Sequence, residues 1–130
     1  MLNDLSYNKE KISQAVSECV AWLTSLNLLK DESNALKTTL SEVLDNNTTD
    51  KELIVEAEIF HNLIIERDEY IKDIAIDVKR QEKKFKDISS KNIDRHWQKQ
   101  QQKLRNEVIY LEKDFARMRE DFYRKFLKKV

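Results

Sequence analysis

Along the first third of this chain, apolar side chains recur at alternating steps of three and four residues. The row runs Ile12, Ala15, Cys19, Trp22, Leu26, Leu29, Ser33, Leu36, Leu40 and Val43, with Ser33 as its one hydroxyl-bearing member. A spacing near 3.5 residues keeps one face of an α-helix apolar, so the row predicts one long helix over about residues 7–46. The phase is the same on both sides of Lys30–Ser33, which reads Ser33 as a polar layer rather than a break. Asp45, Asn46, Asn47 and Thr48 follow, and their side chains compete for backbone groups in the way that favours a turn.

A second row begins at Leu53 and continues through Ala57, Phe60, Ile64, Arg67, Ile71, Ile74, Val78, Gln81, Phe85 and Ile88, predicting a helix over about residues 50–88. Thr49 and Glu52 have the spacing of a capping box at its start. Beyond Ile88 the phase fails, because Asn92 and Arg95 fall where apolar residues are due, and a turn at Ser89–Asn92 accounts for that. Ile93, Trp97, Gln101, Leu104, Val108, Leu111, Phe115, Met118 and Phe122, with Phe126 and Leu127 after them, predict a third helix over about residues 92–128. The expected fold is all-α: an elongated antiparallel three-helix coiled-coil bundle, one domain over 1–130, either sufficient alone or completed by dimerisation.

Antiparallel neighbours place residues equidistant from a turn at one height. A residue i of the first helix should face about position 96 minus i in the second, and residue j of the second about 181 minus j in the third. Ile12, Phe85 and Trp97 then form one layer, Trp22, Ile74 and Val108 another, and Leu36, Phe60 and Phe122 a third. The two polar interruptions Gln81 and Gln101 fall together, so their amides are expected to bond each other. Arg67 interrupts the second row and needs a carboxylate, since a lone buried guanidinium costs several kcal/mol; Asp114 lies at its height, with Asp31 as a second candidate. The expected core polar layers are thus Ser33, Arg67 with Asp114, and Gln81 with Gln101.

Composition explains why helices dominate. The 130 residues contain no Gly and no Pro, which leaves few means of building αL turns, phosphate-cradling loops or strand-to-helix elbows. Charged residues make up 37% with 24 of each sign, as expected for solvated helix faces. The single Cys19 has no disulfide partner within the chain, and the opening MLNDLSYNKEK lacks the apolar core of a signal peptide, so a cytoplasmic protein is expected. No apolar run approaches the roughly 20 residues that a membrane span requires.

Candidate chemistry is sparse. Glu58 and His61 have the Glu-x-x-His spacing of di-iron bundles, but the other histidine, His96, has Ile93 three residues before it, so the required second pair is missing and no metal is expected. Cys19 lies in an apolar row, where thiols are inert. Glu66, Asp68 and Glu69 read as solvated carboxylates on a helix surface. No catalytic residue, cofactor or small-molecule substrate is expected, and the chain is not read as an enzyme.

Charge is unevenly distributed. Residues 1–49 carry 4 basic and 7 acidic side chains, residues 50–91 carry 9 and 11, and residues 92–130 carry 11 and 6. The antiparallel arrangement brings Lys79, Arg80, Lys83, Lys84 and Lys86 alongside Arg95, Lys99, Lys103 and Arg105. That basic end is a candidate for anions or nucleic acid, although nearby acids dilute it and nucleic acid is not the expected partner. The second helix also bears extra apolar residues, Ile54, Ile59, Leu63, Ile65, Tyr70 and Ile76, too many for one narrow seam. Either they widen the core stripe or they form a face, represented by Ile59, Leu63 and Tyr70, that buries against another protein or a second copy. The expected function is therefore a non-catalytic helical interaction or scaffold protein. The alternatives are a metal-binding bundle using Glu58 and His61, and an anion binder using the basic end.

Overall fold

A computed structural model describes residues 2–87 and 95–127, with side chains from residue 9 onward. It contains three long helices, α1 (Leu2–Asn46), α2 (Lys51–Asp87) and α3 (Arg95–Phe126). No strand occurs among the described residues, and no helix there is long and apolar enough to cross a membrane. The all-α three-helix bundle is the fold that the sequence predicts.

The helices keep the predicted bounds with instructive exceptions. Helix α1 is unbroken through Lys30–Ser33 but starts at Leu2, five residues before the expected start near 7. The opening segment is polar enough to hide the apolar period, yet nothing in it stops a helix. The first reversal lies at 47–50 rather than 45–48, because Asp45 and Asn46 remain helical. Its capping residue is Asp50, not Thr49: the Asp50 carboxylate accepts a hydrogen bond from the Leu53 backbone N–H at 3.1 Å, and its carbonyl accepts the Ile54 N–H at 3.0 Å. Asp caps as well as Thr and adds a negative charge that the helix N-terminus favours. No described residue has positive φ, so this glycine-free turn closes without left-handed backbone. The predicted turn at Ser89–Asn92, with Ile88 and Ile93 beside it, lies outside the described residues.

By internal contacts the chain forms two compact units, each drawing a segment from every helix. The first comprises Met1–Asn27 and Asp73–Ile109, the second Leu28–Lys72 and Tyr110–Val130. In the first unit Trp22, Ile74 and Val108, expected in one layer, are each buried, while Ile12 and Trp97 are half-buried and Phe85 is buried. The Phe85 and Trp97 rings lie 5.6 Å apart. In the second unit Leu36, Phe60 and Phe122 are buried, and Phe60 meets Phe122 edge-on at 5.8 Å, with Phe126 within 5.3 Å of Phe60. Among the described residues, every buried one belongs to one of the three apolar rows, including the polar members Ser33, Gln81 and Gln101.

Pairings within each unit fix the register between helices. In the first unit Phe85–Trp97 and Gln81–Gln101 lie within one residue of the 181 rule. In the second, Arg67–Asp114, Glu56–Lys125 and Phe60–Phe122 do the same. Index rises along α2 as it falls along α3 in both units, so these helices run antiparallel. Between α1 and α2 the match is looser: Ser33 and Lys37 both bond Asp68, each more than a turn beyond the height that the 96 rule assigns.

Phe115 is fully buried in the second unit. Phe115→Ala should therefore lower stability by about 3–5 kcal/mol, the cost of lost transfer free energy plus the cavity left behind. Tyr110→Ala in the same unit, where the ring is 67% exposed, should stay within about 0.5 kcal/mol. Urea unfolding followed by circular dichroism measures both.

Candidate functional site

The clearest unpartnered feature lies on α2 in the second unit. Its inner row, Ala57, Phe60, Ile64, Arg67 and Ile71, is committed to the core, so residues two to three positions away turn outward. Val55, Ile59 and Leu63 follow one another at steps of four, and Tyr70 follows Leu63 by seven, which sets all four along one side of the helix. Val55, Ile59 and Tyr70 are each more than half exposed, and Leu63 is half-buried. The surplus apolar residues therefore do not simply widen the core: Ile54 and Leu63 are half-buried, while Ile59, Ile65, Tyr70 and, in the first unit, Ile76 are exposed. Val55 was not singled out from the sequence, although its spacing from Ile59 was there to be read. At the start of the stripe an open depression of about 690 Å³ lies between α2 and α3, lined by Leu53, Val55 and Phe126 together with Asp50, Lys51, Glu52, Glu56 and Lys125.

This stretch is acidic on its outer side. Between Lys51 and Lys72, α2 carries Glu52, Glu56, Glu58, Glu66, Asp68 and Glu69 against the single cation Arg67. Three of these seven charges are used within the unit. Arg67 makes a two-pronged pair with Asp114, Nε to Oδ2 at 3.0 Å and Nη2 to Oδ1 at 3.3 Å, and donates a third bond to the Leu63 carbonyl at 3.4 Å. Asp31, the other candidate, is exposed. Asp68 accepts hydrogen bonds from the Ser33 hydroxyl and the Lys37 ammonium, so it is not the solvated carboxylate that the sequence suggests. Burial of Ser33 in the α1 row draws the acceptor in, whereas its neighbours Glu66 and Glu69 are exposed as expected. Glu56 pairs with Lys125 at 2.9 Å. Glu52, Glu58, Glu66 and Glu69 remain exposed around the stripe.

In the first unit the polar layer is built around Gln101. Its Oε1 accepts the Gln81 amide at 3.4 Å and the Cys19 thiol at 3.9 Å, and its Nε2 donates to the Ala15 carbonyl at 3.3 Å and to Glu18 at 2.9 Å. Glu18 also accepts both prongs of Arg105, at 2.6 and 2.7 Å. The hydrogen bond from Arg105 holds the Glu18 carboxyl below its ordinary pKa, burial opposes this, and the Gln101 bond adds to it. The same pairing raises the pKa of Arg105. Burial pushes the Cys19 thiol up to about 11; the Gln101 bond opposes the shift, while the nearby Glu82 and Glu18 carboxylates reinforce it. Sequence reading missed the Glu18–Arg105 pair. Its signal was regularity, because Glu32 and Arg119, each fourteen residues further on, make the equivalent α1–α3 pair at 2.6 Å in the second unit.

The remaining candidates are placed as follows. Lys79, Arg80, Lys83, Lys84, Arg95 and Lys99 are all exposed in the first unit. Lys84 lies over the Trp97 ring at 5.6 Å, and Arg80 and Lys86 are each 3.9 Å from acids on their own helix, Asp77 and Glu82. Glu58 and His61 are exposed beside a shallow groove with Lys37, Leu40 and Leu44. Among the described residues, no three His, Cys, Asp or Glu side chains converge as a metal would require. With this geometry in view, no protein-family model, curated protein or solved structure matches the chain.

Two measurements follow from the first unit. The carboxyl of Glu18 has its pKa lowered from 4.5 on folding, so the unfolded chain takes up its proton at a higher pH than the folded one. The stability contributed by Glu18 should be complete above pH 4.5 and vanish as pH falls through the lowered folded value. Glu18→Gln should flatten the acid side of a stability-versus-pH curve, and an unchanged slope would count against the pair. The Cys19 thiol should resist an aromatic disulfide reagent at pH 8 in the native protein and react at once in denaturant; prompt native labelling would contradict its burial.

Proposed function

We propose that this chain is a non-catalytic interaction module whose working surface is the outward face of α2 in the second unit, bearing Val55, Ile59, Leu63 and Tyr70. One observation carries the reading: three large apolar side chains, each more than half exposed, stand in register with a fourth on one side of a single helix. Large apolar residues aligned on one side of a helix, rather than scattered singly, are the usual mark of a protein contact. The inner row beneath it is rigidly engaged, with Phe60 packed on Phe122 and Arg67 bound to Asp114, which would present the stripe on a preformed support.

The chemistry elsewhere supports a binding role over a catalytic one. Cys19 is buried against an amide, Arg67 already holds a carboxylate, and the basic residues of the first unit are interleaved with Asp77 and Glu82. A free thiol shielded from oxidants suits a cytoplasmic setting. The steps of four and seven between Val55, Ile59, Leu63 and Tyr70 would suit a helix of another protein as the element that covers the stripe.

Affinity capture from the native cell tests the proposal, using the intact chain as bait and Ile59→Glu as its control. Ile59 is 53% exposed, so the variant should keep the helical circular dichroism of the wild type and lose no more than about 0.5 kcal/mol of stability. A partner retained by wild type and absent from Ile59→Glu is the expected result. A partner set identical in both would remove this face from consideration.

A further inference from the structure

The charges around the stripe indicate what would cover it. Glu52 and Glu66 share the side of α2 that bears Val55, Ile59, Leu63 and Tyr70, with Glu66 between Leu63 and Tyr70, Glu58 and Glu69 lie to one side of it, and the only cation within that stretch of α2, Arg67, is spent on Asp114. Lys51 and Lys72 stand only at its ends. Two elements of recognition coincide: an apolar line at the spacing of a helix partner, and flanking charges of one sign.

A second copy of the same face fits poorly. Antiparallel pairing about Asn62 would set Glu58 of one copy against Glu66 of the other and Ile65 against Ile59, leaving only Lys72 at the rim to oppose Glu52. Like charges at such positions destabilise a helix pair. Nucleic acid and anionic lipid fit no better, since either would bring phosphate against exposed carboxylates. The complement is a helix with an apolar row edged by Lys and Arg.

We propose that this face docks a basic amphipathic helix from another protein, its apolar row against Val55, Ile59, Leu63 and Tyr70 and its cations toward Glu52, Glu58, Glu66 and Glu69. The assignment rests on the reading of α2 as the partner face and adds the chemical class of the partner. The apolar contact supplies affinity and the carboxylates select by sign. Docking begins at the depression between α2 and α3, where Leu53, Val55 and Phe126 give the partner's first apolar side chain a place to insert.

The test uses the full chain and two synthetic helix-forming peptides with identical leucine rows, one flanked by lysine and its twin by glutamate. Fluorescence anisotropy should show the lysine peptide binding at least ~10-fold more tightly than its twin at low salt, with the difference shrinking as salt screens the charges. Ile59→Glu should weaken the lysine peptide by a further ~10-fold, which separates docking on the stripe from attraction to acids elsewhere. Glu66→Lys with Glu69→Lys should reduce or reverse the preference between peptides while leaving the circular dichroism unchanged. Equal binding of both peptides, or lysine-peptide binding indifferent to Ile59→Glu, overturns the basic-helix assignment. If that happens while Ile59→Glu still strips a cellular partner, the face stands as a docking site and only the partner class is wrong. Sedimentation equilibrium supplies the other adverse outcome: a wild-type dimer that Ile59→Glu dissociates would assign the face to a second copy.

Discussion

A chain with neither glycine nor proline has little to interrupt a helix, but helices of this length persist in water only when an apolar row on each is covered. Covering those rows is the constraint on which both units depend. Each unit achieves it with three helical segments, and among the described residues the burial is exclusive: what is buried belongs to the rows, and what lies off the rows is at most half-buried. The outward position of the α2 stripe follows directly. Once Ala57, Phe60, Ile64 and Ile71 are turned inward, Val55, Ile59 and Tyr70 have no place in the core whatever their hydrophobicity.

Apolar rows alone tolerate sliding, because one leucine layer resembles the next. The polar layers make each height distinct. In the first unit Gln101 has partners from both other helices, and a shift of one turn would leave its amide, that of Gln81 and the Glu18 carboxylate facing apolar carbon. In the second unit the Arg67–Asp114 pair and the Ser33–Asp68–Lys37 cluster do the same work for different helix pairs. An unmatched buried charge costs several kcal/mol, whereas a matched one adds little net stability. These layers therefore act chiefly by penalising wrong registers, and it is reasonable that they occur where the sequence pattern looks interrupted.

Most of the fold was legible because the decisive information is periodic. Rows such as Ile71–Ile74–Val78 state their own phase, and antiparallel geometry then brings Gln81 to Gln101 and Arg67 to Asp114 without reference to side-chain detail. Where a short-range choice had to be made, the pattern was silent. Thr49 and Asp50 are both competent caps, and the winner was decided by how far Asp45 and Asn46 stayed helical. Asp68 was read as solvated because its position along α2 is off the inner row; only the buried hydroxyl of Ser33 on another helix makes it a partner. The α2 face was half legible. Excess apolar residues announced that something lay outside the core, but which of them were exposed depended on how far the seam spread, and that spread is a property of packing rather than of one strand of sequence.

The two α1–α3 pairs, Glu18–Arg105 and Glu32–Arg119, show how charge serves different ends on different faces. Both acids immediately precede a row position of α1 and both arginines immediately follow one of α3, so each pair borders the seam and has an opposite charge to meet inside its own unit. Helix α2 also closes its borders internally, through Glu56 with Lys125 and Asp68 with Lys37. Its outward carboxylates are different in kind. Glu66 and Glu69 are exposed, Glu52 stands at the α2–α3 depression and Glu58 beside the groove with α1, and a solvated surface would be served equally well by lysines or by a mixture of signs. Under the proposed docking role, the same charges would disfavour closure of this face on its own kind and favour a cationic partner, so specificity would rest on repulsion as much as on contact.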